Sequence, residues 1–152
     1  MIIGIDPGKS GGISVIRVNE KGAIECIHAF GCPEDIKGMN QLIKKIKVKP
    51  YKKIICYIEK VWAFPTDGRS SVFKFGMNYG IWQGVLCANQ IYTTYITPQK
   101  WQSHFGKLPK KKQERKKVLK EIASKQSGIK ATLKTADAIC IALYGYQMEY
   151  CD

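Results

Sequence analysis

Three acidic residues, Asp6, Glu59 and Asp137, stand at the ends of predicted structural elements. Asp6 closes a short β-branched run that Pro7 and the following glycine terminate, so its carboxylate lies where a buried strand stops. The glycines beyond it let the backbone approach a ligand closely. Glu59 ends a second apolar run, and Asp137 falls in the first turn of the last predicted helix. Turn chemistry or the helix dipole can explain the position of any one of these acids. Neither explains well why three acids occupy such positions in a highly basic chain.

The segment Gly8-Lys9-Ser10 resembles the end of a nucleotide-binding phosphate loop, but two features argue against that interpretation. The motif requires a glycine five residues before Gly8, where the chain has Ile3, and Gly4 is one position too late. The motif also requires a helix after the serine, whereas a β-branched run follows over residues 13–18. The glycines therefore predict a hairpin between two strands, with an acid at its mouth.

The elements that position the acids follow from hydrophobic periodicity and turn signals. Three antiparallel strands open the chain, because two turns separate three apolar runs, and helices then alternate with two further strands. This order predicts an α/β protein. We expect strands over 2–6, 13–18 and 23–30, a helix over 36–46, a strand over 53–59, a helix from Ser70 or Ser71 to about Asn89, a strand over 91–96, a helix capped by Thr97, a basic loop and helix within 107–120, and a last helix from Thr135 to about Tyr150.

Gly76, Gly80 and Gly84 recur every four residues in the long predicted helix and give it one smooth face. Close packing of this face on the sheet is the simpler interpretation. Contact with a second subunit is the alternative.

The charge balance predicts a polyanionic partner. Lys and Arg number 25 against 12 Asp and Glu, which gives a formal net charge of +13. Lysine-rich usage can also reflect genome composition, and solvated lysines are common. Basic residues are concentrated between Lys107 and Lys120, a segment that we call the basic stripe. The nucleic-acid contacts that we expect on it are Lys107, Lys110, Lys111, Lys112, Arg115, Lys116 and Lys117.

The length of 152 residues, with 45% hydrophobic and 24% charged residues, predicts one globular domain over residues 1–152. No apolar run approaches the roughly 18 residues of a membrane span. The chain also begins with strand residues where a leader would stand, so we expect an intracellular, cytoplasmic protein with no membrane partner. The six cysteines are not closely paired, which indicates free thiols in a reducing compartment.

The order of strands, helices and acids resembles the ribonuclease H-like fold, in which carboxylates lie on the first strand, the fourth strand and the last helix. Five motifs narrow the resemblance to the RuvC-type Holliday-junction resolvases, particularly their compact phage-encoded branch. The motifs occur in family-like order and spacing between residues 2 and 145. They are GIDPG at 4–8, YIEKV at 57–61, FGMNYG at 75–80, TPQKW at 97–101 and ADA at 136–138.

This resemblance implies a five-stranded mixed sheet in the order 3-2-1-4-5, flanked by helices. It also implies a homodimer that nicks two opposed strands of a four-way DNA junction, and it assigns catalysis and metal binding to Asp6, Glu59 and Asp137. The chemistry is consistent, because divalent ions offset the charge of a phosphodiester, activate water and stabilise the leaving oxygen. Carboxylate oxygens suit hard Mg²⁺ or Mn²⁺, so we expect one of these ions as cofactor. The cut-site preference and the cleavage of other branched DNA stay open.

The family also places an aromatic residue three positions after the strand-four Glu, where it contacts bases at the opened crossover. Here that residue is Trp62. An ordinary core aromatic under a loop is the alternative, but Phe64 and Arg69 share the loop, and stacking on a base is worth about 1–3 kcal/mol. We therefore expect Trp62, Phe64 and Arg69 to contact DNA.

One departure from the family concerns the last acid. The family usually supplies another Asp or His three to five residues before it, and residues 131–134 (ATLK) supply none. Lys134 would instead repel a second cation, so we expect a weak nuclease that works better with Mn²⁺ than with Mg²⁺. Two alternatives remain: a branched-DNA-binding module of the same fold with weakened or lost catalysis, and an actin-like or sugar-kinase-like ATPase, for which 152 residues are too few.

Overall fold

The computed structural model of the protein describes residues 1–48, 53–62 and 68–151. Three strands open these ranges, and helices then alternate with two further strands before two helices close them. In chain order the elements are β1 (Ile2–Asp6), β2 (Gly12–Val18), β3 (Ile24–Gly31), α1 (Ile36–Ile46), β4 (Ile55–Glu59), α2 (Arg69–Ala88), β5 (Tyr92–Ile96), α3 (Pro98–Ser103), α4 (Lys112–Ser127) and α5 (Ala136–Tyr150). No helix in the described ranges is both long enough and apolar enough to cross a bilayer.

The strands form one mixed sheet in the order β3-β2-β1-β4-β5, which confirms the predicted α/β fold and strand order. β1 pairs antiparallel with β2 and parallel with β4, and β4 pairs parallel with β5. Parallel strands end at the same edge of a sheet. Because Ile5 pairs with Ile58, the acids that follow them, Asp6 and Glu59, stand side by side at that edge.

Side chains alternate between the two faces of the sheet and fill two separate cores. On one face Ile2 and Tyr57 pack with residues of α3, α4 and α5. On the other face Ile3 and Ile58 pack with residues of α1 and α2. Every residue of β1 and β4 before its terminal acid is buried, which explains why both strands are apolar almost throughout.

Helix α5 lies directly against β1 because Gly4 has no side chain. A Cβ atom at Gly4 would stand 2.4 Å from the carbonyl oxygen of Ala138 and 2.4 Å from the backbone nitrogen of Ala142. Any larger residue would push the helix away from the strand. The glycine therefore allows the first turn of α5, which carries Asp137, to sit on the central strand that carries Asp6.

The helix starts agree with the sequence at one cap and differ at another. Thr97 caps α3 as predicted, with its side chain accepting a backbone hydrogen bond from the first turn. The prediction that Ser70 or Ser71 caps α2 is wrong, because both serines lie inside its first turn. Gly68 is the N-cap instead, since its extended backbone can turn into the helix without a side-chain hydrogen bond.

The glycine face of α2 does not pack on the sheet. A Cβ atom built at Gly76, Gly80 or Gly84 would meet no atom within 4 Å in the part of the chain that the structure describes. All three glycines are exposed. Close packing on the sheet is therefore the wrong explanation of their spacing, and contact with a second subunit stays a prediction.

Candidate active site

The edge at which β1 and β4 end opens into a cavity of about 830 Å³. Asp6, Glu59 and Asp137 all line it, from the last residue of β1, the last residue of β4 and the first turn of α5. The three acids that the sequence singles out are thus brought to one place from distant parts of the chain.

Asp6 is held by the turn that follows it. Its Oδ1 accepts a hydrogen bond from the backbone N–H of Gly8, at 3.3 Å. Gly11 must be a glycine for the turn to close, because a Cβ atom there would stand 2.3 Å from the Asp6 carbonyl oxygen. From the other side, the side-chain amide of Asn78 in α2 donates a hydrogen bond to the carbonyl of Pro7. The loop that carries the acid is therefore tied both to itself and to a helix.

Glu59 is held by a side chain of α3, the helix that follows β5. The indole N–H of Trp101 in α3 donates a hydrogen bond to Oε2 of Glu59, at 2.7 Å. Trp101 is fully buried, so its ring cannot swing into solvent.

Burial disfavours ionisation of all three acids, and repulsion from neighbouring acids adds to this effect at Glu59 and Asp137. Burial raises the pKa of Glu59 to about 8, and the neighbouring charges of Asp6 and Asp137 raise it too, while the Trp101 hydrogen bond acts in the opposite direction. Burial, followed by repulsion from Asp6, raises the pKa of Asp137 to about 6. Burial also raises the pKa of Asp6, against the stabilising hydrogen bond from Gly8. An added cation would relieve this repulsion.

The donor chemistry of the cavity fits a divalent metal ion, because hard carboxylate oxygens with unrelieved negative charge are what Mg²⁺ or Mn²⁺ binds. The spacing of the carboxylates, by contrast, is not yet that of a metal site. Within residues 1–48, 53–62 and 68–151, no group of three or more His, Cys, Asp or Glu side chains is drawn together tightly enough to hold an ion. Asp6, Glu59 and Asp137 share the cavity as potential ligands and would have to close around the ion.

The basic stripe divides between two surfaces. Lys112, Arg115 and Lys116 line the cavity, and all three lower the pKa of Asp137 by their positive charge. Lys117 instead lines a separate shallow hollow together with Lys120 and Lys125. Only part of the predicted DNA surface therefore faces the acids.

The remaining predicted contacts on the stripe are exposed near the start of α4. Lys107, Lys110 and Lys111 lie in the loop before the helix, and Lys111 forms an ion pair of 3.5 Å with Glu114. Arg115 secures this loop, since its guanidinium donates hydrogen bonds to the carbonyls of Pro109 and Lys110.

Trp62 is 41% exposed and lines the cavity, so it is not the ordinary core aromatic that the sequence left open as an alternative. Arg69 is exposed at the first residue of α2 and is not among the described residues that line the cavity. Phe64 lies outside the described residues. Of the two predicted DNA contacts on this loop that the structure describes, Trp62 lies with the acids and Arg69 does not.

Sequence reasoning missed the residues that support the acids. Trp101 falls within the TPQKW motif and Asn78 within FGMNYG, but neither motif indicates which atom each side chain contacts. The cavity wall also includes Gln99 and Gln102 of α3. The signal that could have found Trp101 is its position, because Glu59 pairs with Ile96 and α3 starts two residues later.

The sheet order, with acids at the ends of β1 and β4 and at the start of α5, defines a ribonuclease H-like architecture. Among solved structures, the chain is similar to Thermus thermophilus RuvC in complex with a Holliday junction substrate, with a TM-score of 0.65 and 14% identity over 97% of this chain and 94% of that chain. It is also similar to another structure of T. thermophilus RuvC, with a TM-score of 0.64 and 18% identity over 97% of this chain and 95% of that chain. No protein-family model matches the sequence, and no curated protein matches it in sequence. The likeness establishes a RuvC-like fold.

Proposed function

We propose that the protein is a metal-dependent endonuclease that cuts four-way DNA junctions. One observation carries the proposal: three carboxylates from distant elements line a single cavity, and Lys112, Arg115 and Lys116 line it with them. Acids can hold the divalent ion that assists hydrolysis of a phosphodiester, and lysine and arginine side chains attract its phosphate. The RuvC-like fold supports the junction as substrate, since one structural neighbour was solved with a Holliday junction.

Each part of the cavity has a separate task in this proposal. Asp6, Glu59 and Asp137 would hold Mg²⁺ or Mn²⁺, which when bound offsets phosphate charge, activates water and stabilises the leaving oxygen. Lys112 and Lys116 would attract the DNA backbone to the rim of the acids. Trp62, half-exposed at the wall, would stack on an unpaired base where a junction opens.

The protein would act as a homodimer joined through α2. Opposed cuts on a two-fold junction call for two sites related by a two-fold axis. Beside its open glycine face, α2 exposes large apolar side chains, with Phe73 at 71% and Met77 at 55% exposure. Phe73, Met77 and the glycines Gly80 and Gly84 are spaced as one face of a helix, which a second copy of the chain would cover.

A cleavage assay tests this proposal. A synthetic four-way junction and a linear duplex of the same sequence are incubated with the protein in Mg²⁺ and in Mn²⁺, and binding is measured in Ca²⁺. The proposal predicts paired nicks in the junction, faster in Mn²⁺, and little cutting of the duplex. Cutting of both DNAs at equal rates would contradict junction selectivity.

A branched-DNA-binding module without catalysis is the second candidate, and the site geometry favours it in one respect. The described residues include no preformed group of three metal ligands, and residues 131–134 add no fourth acid. This candidate predicts selective junction binding in Ca²⁺ with no nick in either Mg²⁺ or Mn²⁺ over a single-turnover time course.

A further inference from the structure

Trp101 is packed as a fixed part of the core. Its side chain is 0% exposed and belongs to the same buried cluster as Leu119 of α4 and Tyr144 of α5. The ring of Phe105 lies edge-on to it, with centroids 6.4 Å apart and planes at 73°. Packing on several sides leaves the indole one position, so its single polar atom also has one position.

That polar atom is directed at a candidate metal ligand. The Trp101 Nε1–H donates to Oε2 of Glu59 over 2.7 Å, at the short end of the range for N–H···O hydrogen bonds. The other fully buried tryptophan, Trp82, makes a comparable bond on the opposite face of the sheet, where its Nε1–H donates to Sγ of Cys32 at 3.0 Å. The two indoles are thus similarly buried, but they donate to different acceptors, a carboxylate and a thiol.

The backbone places Trp101 beside Glu59. Glu59 pairs with Ile96 across the β4–β5 ladder, and the N–H of Lys60 donates to the carbonyl of Ile96 at 2.6 Å. Thr97 then caps α3 at once, so the first turn of the helix stands next to the acid. A side chain at position 101 can therefore reach back to the carboxylate.

We propose that Trp101 is a positioning residue, whose indole N–H fixes the Glu59 carboxylate in the orientation that faces the cavity and receives the divalent ion. The inference rests on the proposed function, because it takes Glu59 to be a metal ligand. Partners of this kind orient metal ligands, and their loss typically lowers metal affinity or activity by about 10–100-fold. The competing explanation is that a buried indole simply needs an acceptor.

Trp101→Phe and Trp82→Phe form a matched pair, because each keeps an aromatic ring in a core and removes one indole hydrogen bond. Mn²⁺ affinity of the DNA-free protein is measured by the decrease in free-ion electron paramagnetic resonance signal, after melting curves have shown that each variant folds. Trp101→Phe should weaken Mn²⁺ binding by about 10–100-fold. It should also raise the Mn²⁺ concentration needed for half-maximal junction cleavage, whereas Trp82→Phe should leave both values unchanged.

A second measurement on the unmodified protein keeps the inference testable if Trp101→Phe does not fold. The indole N–H resonances of ¹⁵N-labelled protein are followed by NMR as diamagnetic Ca²⁺ is added. The Trp101 resonance should shift with Ca²⁺, the Trp82 resonance should stay in place, and Glu59→Gln should abolish the Trp101 shift.

Different results separate the inference from the proposed function. Equal Mn²⁺ affinity in Trp101→Phe, Trp82→Phe and the unmodified protein, with an unmoved Trp101 resonance, would show that Trp101 is only a core residue while the nuclease proposal stands. If the unmodified protein binds no cation and nicks no junction, the proposed function fails, and the positioning role fails with it.

Discussion

Helices α5 and α2 pack on opposite faces of one sheet, and the chain covers them to different extents. In α5, nine residues are buried, including an unbroken run from Ala138 to Gly145. In α2, which is longer at 20 residues, only Trp82, Val85 and Leu86 are buried. The chain completes the surroundings of α5 by itself and so can fix an acid at its start. Within the described ranges it leaves an apolar face of α2 uncovered.

The largest expected difference between the two helices is the change in stability when one glycine at each helix is replaced by alanine. We expect Gly4→Ala to lower the free energy of unfolding by about 3 kcal/mol or more, because the new Cβ meets the backbone of α5. Gly80→Ala, which meets nothing in the described chain, should instead stabilise the monomer by about 0.5–1 kcal/mol through helix propensity. Urea unfolding at a concentration where light scattering shows monomers measures both. Equal effects of the two substitutions on the free energy of unfolding would contradict the difference in packing between α5 and α2.

A charge on the open face of α2 tests whether a second copy covers it. Met77→Asp should weaken dimerisation by about 10-fold or more, since a desolvated carboxylate opposes association. Leu133→Asp is the matched control, because Leu133 and Met77 are both 55% exposed and Leu133 lines a hollow with residues of α4. Light scattering over a dilution series should show earlier dissociation for Met77→Asp alone. If the unmodified protein has the 17.2 kDa mass of one chain in solution and also binds a junction as a monomer, the dimer proposal is wrong.

The acids on the α5 side should make stability depend on pH. The folded pKa of Glu59 is about 8, well above the ordinary value of a Glu in an unfolded chain, so the folded protein holds more protons than the unfolded chain between those values. Stability contributed by this group therefore falls as the pH rises from about 5 to about 8. Glu59→Gln should stabilise the metal-free protein by about 1–3 kcal/mol at pH 8, and by less at pH 5.

Melting curves in a chelator at both pH values measure this effect, at roughly 2–4 °C for each kcal/mol. Glu149→Gln, at the other end of α5, is the control. It would lose the ion pair with Lys53 and keep only one acceptor oxygen for the two hydrogen bonds from Tyr57 and Lys53, and should therefore gain no stability at pH 8. An equal gain for Glu59→Gln at both pH values would argue against a raised pKa at the site.

The smallest expected effect concerns the cations that line the cavity. Changing Lys112 and Lys116 to Ala together should flatten the dependence of log Kobs on log salt by about one to two units, because fewer counterions are released from DNA. Lys44 and Lys45 on α1, the helix beside α2, are the control pair and should not change the slope. An unchanged slope in the first pair would place the DNA surface elsewhere, with Lys117 and Lys120 the next pair to change.

More of the fold than of the site could be predicted from the sequence. β-Branched runs and turn signals predict five strands, because a buried strand needs apolar residues at nearly every position, whereas the order of the strands in the sheet is implied by the family resemblance. The placement of Asp6 and Glu59 follows as well, since each ends a strand. The partners of these acids do not follow, because the bond between Trp101 and Glu59 joins residues whose contact depends on how a helix turns back on the sheet. The same limit applies to the basic stripe, where periodicity alone does not show that Lys116 and Lys117 face different hollows.

The central claim is that Asp6, Glu59 and Asp137 form one catalytic site, and single-turnover nicking of a four-way junction in saturating Mn²⁺ tests it most directly. Asp6→Asn, Glu59→Gln and Asp137→Asn should each lower the nicking rate by about 10³-fold or more. Each should bind the junction in Ca²⁺ within a few-fold of the unmodified protein, or more tightly, because a charge that repels phosphate is gone. Nicking at the unmodified rate by any one of the three variants would contradict the claim for that residue.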